Sequence, residues 1–142
     1  MVNTATPFKP PVIPWIAPEP LLATDQLDPG PGLDPGALHA ALERLLALVG
    51  GVQALVLFGS RARGEARLDS DLDLAVILQE AQLSPERKAA CWRCCRQAIG
   101  ALGVGVDLVV VGAADARRLS GSRWHVLGDV AREGRVLFSA GG

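Results

Sequence analysis

The sequence has no surplus of charge of either sign, few cysteines and no long apolar run, and each lack removes a class of protein. Fourteen Lys plus Arg stand against fifteen Asp plus Glu, a net charge of −1. Nothing global draws such a chain to a polynucleotide, so direct nucleic-acid binding is not expected. The cysteines, Cys91, Cys94 and Cys95, are an odd number crowded together, a poor disulfide framework that fits a reducing cytoplasm. No apolar run reaches the roughly 18 residues of a membrane span. The opening Met1-Val2-Asn3-Thr4 has no basic segment followed by an apolar one, so neither export nor membrane insertion is indicated. Proline is almost missing after Pro35: of the 10 in the chain only Pro85 lies beyond it.

What is there is a foldable chain of 142 residues, 49% hydrophobic and 20% charged, the size of one domain. The proline boundary divides it into a proline-rich arm, residues 1–35, and a remainder, residues 36–139. Within the arm, Pro7-Phe8-Lys9-Pro10-Pro11-Val12-Ile13-Pro14-Trp15 cannot donate a regular hydrogen-bond ladder, which points to extended or polyproline-II backbone. Phe8, Ile13, Trp15, Ile16, Leu21 and Leu22 give it more apolar material than a solvated linker needs. Two readings stay open, an arm that docks on something and an untethered tail.

From Asp34 the pattern is helical. Asp34 is a cap, Pro35 takes the first helical position, and Leu38, Ala41, Leu42, Leu45, Leu46 and Val49 recur at three- and four-residue intervals. Gly50-Gly51 ends the helix, and Val52 to Phe58 reads as a buried strand. A second strand over Asp71 to Leu78 would pack Leu72, Leu74, Val76 and Leu78 on one face and begin the other with Asp71 and Asp73. Ser84-Pro85-Glu86 opens a helix to about Leu102, with Trp92, Cys95, Ile99 and Leu102 along its buried stripe. The cysteines then sit mid-helix as packing residues. Val104 to Val111 reads as a third strand, Ser122 to Glu133 as a helix stopped by Gly134, and Arg135 to Phe138 as a short last strand. The alternation gives an α/β (α+β) domain, a small sheet flanked by helices, with no internal repeat.

The chemistry concentrates in Phe58 to Val76, FGSRARGEARLDSDLDLAV. Asp71 and Asp73 project side by side from one strand face, and two like charges so placed repel. A divalent cation with oxygen ligands relieves the repulsion, and Mg²⁺ commonly takes carboxylates plus substrate phosphates. Alone, Asp-x-Asp is better explained by a solvated acidic turn, because the pattern is short and common. Gly59-Ser60 shifts the balance, because Gly59 lets backbone approach a ligand and Ser60 offers a hydroxyl and an amide where strand turns into a short helix. Arg61 and Arg63 follow as cations able to screen phosphate, and Gly64 bends the chain back toward the carboxylates. Asp107 adds a third carboxylate inside an apolar run, where an unpaired charge is costly and a metal would serve as partner.

Gly59-Ser60, a ten-residue spacer from Arg61 to Ser70, Asp71-Leu72-Asp73 and the later Asp107 resemble the pattern of the DNA polymerase beta-like nucleotidyltransferase superfamily. Gly-Ser-Arg-Ala-Arg-Gly and Ser-Asp-Leu-Asp-Leu are similar, more narrowly, to its minimal nucleotidyltransferase (MNT) group. The ending Asp129 to Phe138 is similar too, with Phe138 where tyrosine is common. The likeness spans about Leu38 to Phe138 and leaves the arm unexplained. It implies a mixed-sheet catalytic core that uses two Mg²⁺ ions to pass a nucleoside monophosphate from ATP or another nucleoside triphosphate to a hydroxyl. Asp71 and Asp73 would bind both metals, Asp107 the one that activates the acceptor, and Gly59 and Ser60 the β- and γ-phosphates. Arg63 would contact phosphate or acceptor, or simply face solvent.

So small a core has no room for a nucleic-acid-binding or helical domain, so the acceptor site is expected to be open or shared with a partner. The MNT group implies an antitoxin paired with a HEPN-type ribonuclease toxin, neutralised in some cases by adding AMP to a toxin tyrosine. The chain itself has no tyrosine, so a tyrosyl acceptor must lie on another protein. Two other functions compete: a non-catalytic antitoxin whose arm wraps over its partner, and a transferase acting on a small molecule such as an aminoglycoside. His39 and His125 receive no role, and Trp92 and Trp124 are read as core or interface residues on amphipathic helices.

Overall fold

A computed structural model describes residues 13–141. Phe8 and the proline run before Ile13, for which extended backbone is expected, lie outside the described residues.

Helix α1 (Pro35–Leu48) starts as the sequence dictates: Pro35 needs no amide partner, and the Asp34 carboxylate accepts the Ala37 N–H at 2.9 Å. Strand β1 (Val52–Phe58) leads into the single turn of α2 (Ser60–Arg63), and β2 (Leu72–Leu78) returns. Helix α3 (Pro85–Ile99), capped by Ser84, crosses over to β3 (Val106–Gly112). It stops three residues short of the expected Leu102, because Gly100 turns the chain at φ +66°. Then come α4 (Ala113–Leu119), α5 (Val126–Glu133) and β4 (Arg135–Ser139). The sheet order is β3-β2-β1-β4, with β1 antiparallel to both neighbours and β2 parallel to β3. That makes the sheet mixed, as expected.

Both faces of the sheet are buried, so the reading of β2 as a strand with one packed face is corrected. Leu55, Leu57, Leu72, Leu74, Val76 and Leu78 meet α1 and α3 on one side. Ala54, Val56, Phe58, Ala75 and Ile77 meet Ala116 of α4 and Leu127 and Val130 of α5 on the other. Alternation along each strand divides the two sets. Cys91 and Cys95 pack in the first core, and burial, followed by the neighbouring Cys91 and Cys94 sulfurs, pushes the Cys95 thiol up to about 12. Trp92 is not buried with them; it is 42% exposed, one residue after Cys91 and three before Cys95. Trp124 is 96% exposed and precedes α5, which begins at Val126 rather than Ser122. His125 caps α5, its Nδ1 accepting the Leu127 N–H at 3.1 Å.

The arm, from Ile13 onward, docks on its own chain. Trp15 is buried in the second core and Leu27 and Leu33 in the first. Glu19 pairs with Ser139 beside β4 through N–H···O bonds of 2.9 and 2.8 Å, and the Leu22 N–H donates to Leu137 O at 3.0 Å. The Ser139 hydroxyl donates to Trp15 O at 2.6 Å.

Candidate active site

The site lies where β1, β2 and β3 meet the turn after β1. The register places Asp73 opposite Phe58 on one side and Asp107 on the other. Adjacent strands stand about 4.8 Å apart, so Asp73 is caught between the end of β1 and a second carboxylate. It is half-buried, while Asp71, just before β2, and Asp107 are exposed. Asp107 therefore does not carry the burial cost expected of it, because the β3 edge opens to solvent at that end.

Electrostatics follow from this packing. Burial, then the charge of Asp107 and a hydrogen bond with it, then the charge of Asp71, push the Asp73 carboxyl up to about 6, and Arg63 opposes them. The carboxylates thus form a region of clustered negative charge that Arg63 only partly offsets. Among the described residues no three or more Asp, Glu, His or Cys side chains are gathered tightly enough to hold a metal ion unaided. Mg²⁺ takes one or two carboxylates and fills its shell with water and phosphate oxygens, so the Asp73–Asp107 pair with Asp71 beside it fits that ion with a nucleotide supplying the remainder.

Two glycines make the arrangement possible. A Cβ on Gly59, at φ +75°, would strike the Asp73 carboxylate, and one on Gly105 would strike that of Asp71. Gly59 thus lets the turn close over Asp73. Ser60 follows, half-buried, as the first residue of α2.

The two arginines do not behave alike. Arg61, expected to screen phosphate, is 1% exposed. Its Nε and Nη2 donate to Ser70 O at 3.1 and 2.8 Å and its Nη1 to Pro29 O and Pro31 O at 2.7 and 2.8 Å. With the longer bond from Nη2 to Arg67 O, all five guanidinium hydrogens are engaged by carbonyls, and none is left for a phosphate. Arg63 stays near the surface, its Nη1 donating to both Glu133 carboxylate oxygens at 3.1 Å and its Nε to Glu65 at 3.2 Å. Glu133 also accepts the Gly59 N–H at 3.2 Å. Its place in the site is hidden in the sequence; the signal is the β1–β4 register, in which Leu57 faces Arg135, so that Gly59 falls opposite Glu133.

A cavity of about 500 Å³ beside α2 is lined by Asp28, Gly30 and Pro31 of the arm and by Ala62, Arg63 and Gly64. None of the three aspartates lines it.

Among solved structures, the chain is similar to a toxin–antitoxin crystal structure with AMP-PNP (22% identity, 70% of each chain, TM-score 0.48). It is also similar to a putative nucleotidyltransferase from Sulfolobus solfataricus (14% identity, 70% of this chain and 75% of that one, TM-score 0.45). A third similar structure is a tri-AMPylated Shewanella oneidensis HEPN toxin in complex with MNT antitoxin (19% identity, 73% of this chain and 71% of that one, TM-score 0.45). No curated protein matches the sequence. The family described as "Polymerase beta, Nucleotidyltransferase" matches residues 41–140, which takes in β1, the Gly59-Ser60 turn, all three aspartates and β4. The mixed sheet and this match agree, and the chain belongs to the polymerase beta nucleotidyltransferase family.

Proposed function

We propose that the protein is a Mg²⁺-dependent nucleotidyltransferase that transfers AMP from ATP to a hydroxyl on a partner protein, as the antitoxin of a HEPN-type toxin. The observation that carries the transferase reading is Asp73 held in register between Asp107 and the Gly59 turn. Carboxylates and a phosphate-binding turn are thereby set side by side, and phosphoryl transfer asks a protein for little more than positioning and charge. Asp71 and Asp73 would hold two Mg²⁺ ions, with Asp107 as a further ligand toward the acceptor, and the backbone at Gly59 and Ser60 would hold the β- and γ-phosphates. When bound, the two ions stabilise the attacking and leaving oxygens of an in-line displacement. The acceptor oxygen bonds to the α-phosphorus, the bond from that phosphorus to the bridging oxygen breaks, and pyrophosphate leaves with the electron pair. Asp107, exposed beside the acceptor, takes the hydroxyl proton.

The protein acceptor rests on two features of the sequence. The Gly-Ser-Arg-Ala-Arg-Gly and Ser-Asp-Leu-Asp-Leu motifs resemble the MNT group, and the chain has no tyrosine of its own. Exposure of Asp71 and Asp107 suits an acceptor delivered on another protein's surface. The rival reading, an arm wrapped over the partner, loses support because Trp15, Leu27 and Leu33 are buried in their own domain.

The test is incubation of the protein with α-labelled ATP, Mg²⁺ and the product of the neighbouring gene, read by intact mass on both chains. A gain of AMP on the neighbour, lost in Asp73→Asn, is the expected result. A stable complex with no adduct from any of the four nucleoside triphosphates would replace this reading with steric occlusion.

A further inference from the structure

The Gly59 turn already holds an anion, and that anion belongs to the protein. Glu133 Oε1 accepts the Gly59 N–H at 3.2 Å, and both carboxylate oxygens lie 3.1 Å from Arg63 Nη1. The Glu133 side chain is 26% exposed and that of Arg63 41%, so the pair lies at the surface with the carboxylate the more covered partner. Its backbone is fixed from two sides: the Gly134 N–H caps α5 by donating to Val130 O at 2.9 Å, and Gly134 sits so close to Val56 that a Cβ there would collide with it. The carboxylate is therefore delivered to the turn by the seam between α5 and β4.

We propose that Glu133 is a positioning residue of the phosphate turn. Its carboxylate holds the Gly59 amide and the Arg63 guanidinium, and it yields both to the triphosphate, so that binding exchanges one anion for another. This rests on the reading of Gly59-Ser60 as the phosphate turn. An amide and a guanidinium that fit a carboxylate also fit a phosphate oxygen, since both ligands present paired acceptors to charge-assisted donors. The exchange lowers the apparent affinity by the fraction of molecules in which the carboxylate is still in place. It also frees Arg63 for phosphate only once nucleotide has arrived, and Glu65, 3.2 Å from its Nε, keeps the side chain nearby.

The test titrates inorganic triphosphate and a non-hydrolysable ATP analogue, each with Mg²⁺, into the full chain by calorimetry, and follows the Gly59 amide by ¹⁵N NMR. Glu133→Gln keeps the shape and removes the charge, and it is expected to bind both ligands about tenfold more tightly, the effect of weakening one charge-assisted hydrogen bond. Glu133→Asp, too short to reach both donors, is expected to gain less and carries the test if Glu133→Gln does not fold. In the wild type, triphosphate should move the Gly59 amide resonance. A folded Glu133→Gln that binds both ligands no more tightly overturns the exchange and leaves the nucleotidyltransferase reading standing. Tighter triphosphate binding without AMP transfer to any protein keeps the exchange and removes the antitoxin reading. Failure of every form to bind either ligand removes both.

Discussion

Asp73 reports its surroundings through its proton. An aspartate in an unfolded chain titrates near pH 3.9, whereas the folded Asp73 titrates at about 6 because of burial, Asp107 and Asp71. Between roughly pH 4 and 6 the folded form holds a proton that the unfolded form has lost, so stability falls as pH rises through that window. Above it the penalty is carried in full. Urea unfolding in EDTA from pH 4 to 8 should therefore show wild type losing stability relative to Asp73→Asn as pH climbs toward 6, with the difference levelling beyond. Parallel curves would contradict the packing described. Gly59→Ala makes a second case, because a Cβ there meets the Asp73 carboxylate and the backbone sits at φ +75°. Strain of this kind costs about 1–3 kcal/mol, and displacing Asp73 by an ångström costs on the order of 100-fold in rate, so the proposed transfer should fall about 100-fold in a variant that still folds. Gly59, Asp71 and Asp73 are legible in the sequence because spacing along a strand and a glycine turn is local information. Glu133 is not, since it reaches Gly59 only through the pairing of strands whose sequence positions are far apart.

At the level of elements, the legible features carry their own boundary chemistry. Asp34-Pro35 and Ser84-Pro85 start helices by satisfying or removing orphan amides, and period-two alternation divides β1 and β2 between the two cores. Helix α4 has no such signal, because Ala113–Leu119 follows β3 with no capping side chain at Gly112, so nothing in the local residues announces it. Arg61 shows the same limit for a single turn of helix. A cation two places after a glycine turn looks like a phosphate ligand, and only the folded chain brings the Pro29, Pro31 and Ser70 carbonyls to it. Its function is to fasten α2 to the arm and to the loop before β2. Arg61→Ala should leave four carbonyls without donors and lower stability by about 4 kcal/mol or more, at about 1–3 kcal/mol for each group left unsatisfied. Limited proteolysis should then cut first between Asp28 and Gly32. Arg61→Lys restores the charge but not the fork of donors and should recover only part of the loss. Full recovery would mean that charge, not carbonyl geometry, holds the arm.

For the whole molecule the arm is part of both cores, which changes what its deletion can reveal. The composition shift at Pro35 is real in the sequence, but composition says nothing about where Trp15, Leu27 and Leu33 find their partners. The structure places all three below 6% exposure. Burial of such side chains is worth about 1.5–3 kcal/mol each, so removing residues 1–33 forfeits roughly 5–9 kcal/mol, against a total of about 5–15 kcal/mol for a domain. The truncated chain should lose its cooperative thermal transition or melt far below the full chain. Loss of the proposed neutralising activity on truncation would then follow from unfolding and would say nothing about an arm gripping a partner. Trp15→Ala separates these effects, because it opens a cavity costing about 3–5 kcal/mol while leaving the backbone pairing of Glu19 with Ser139 available. With the arm acting only as part of the fold, Trp15→Ala should lower the melting temperature and leave the partner's Kd unchanged at temperatures where the variant is folded. A weakened Kd in a folded variant would place the arm at the partner interface after all.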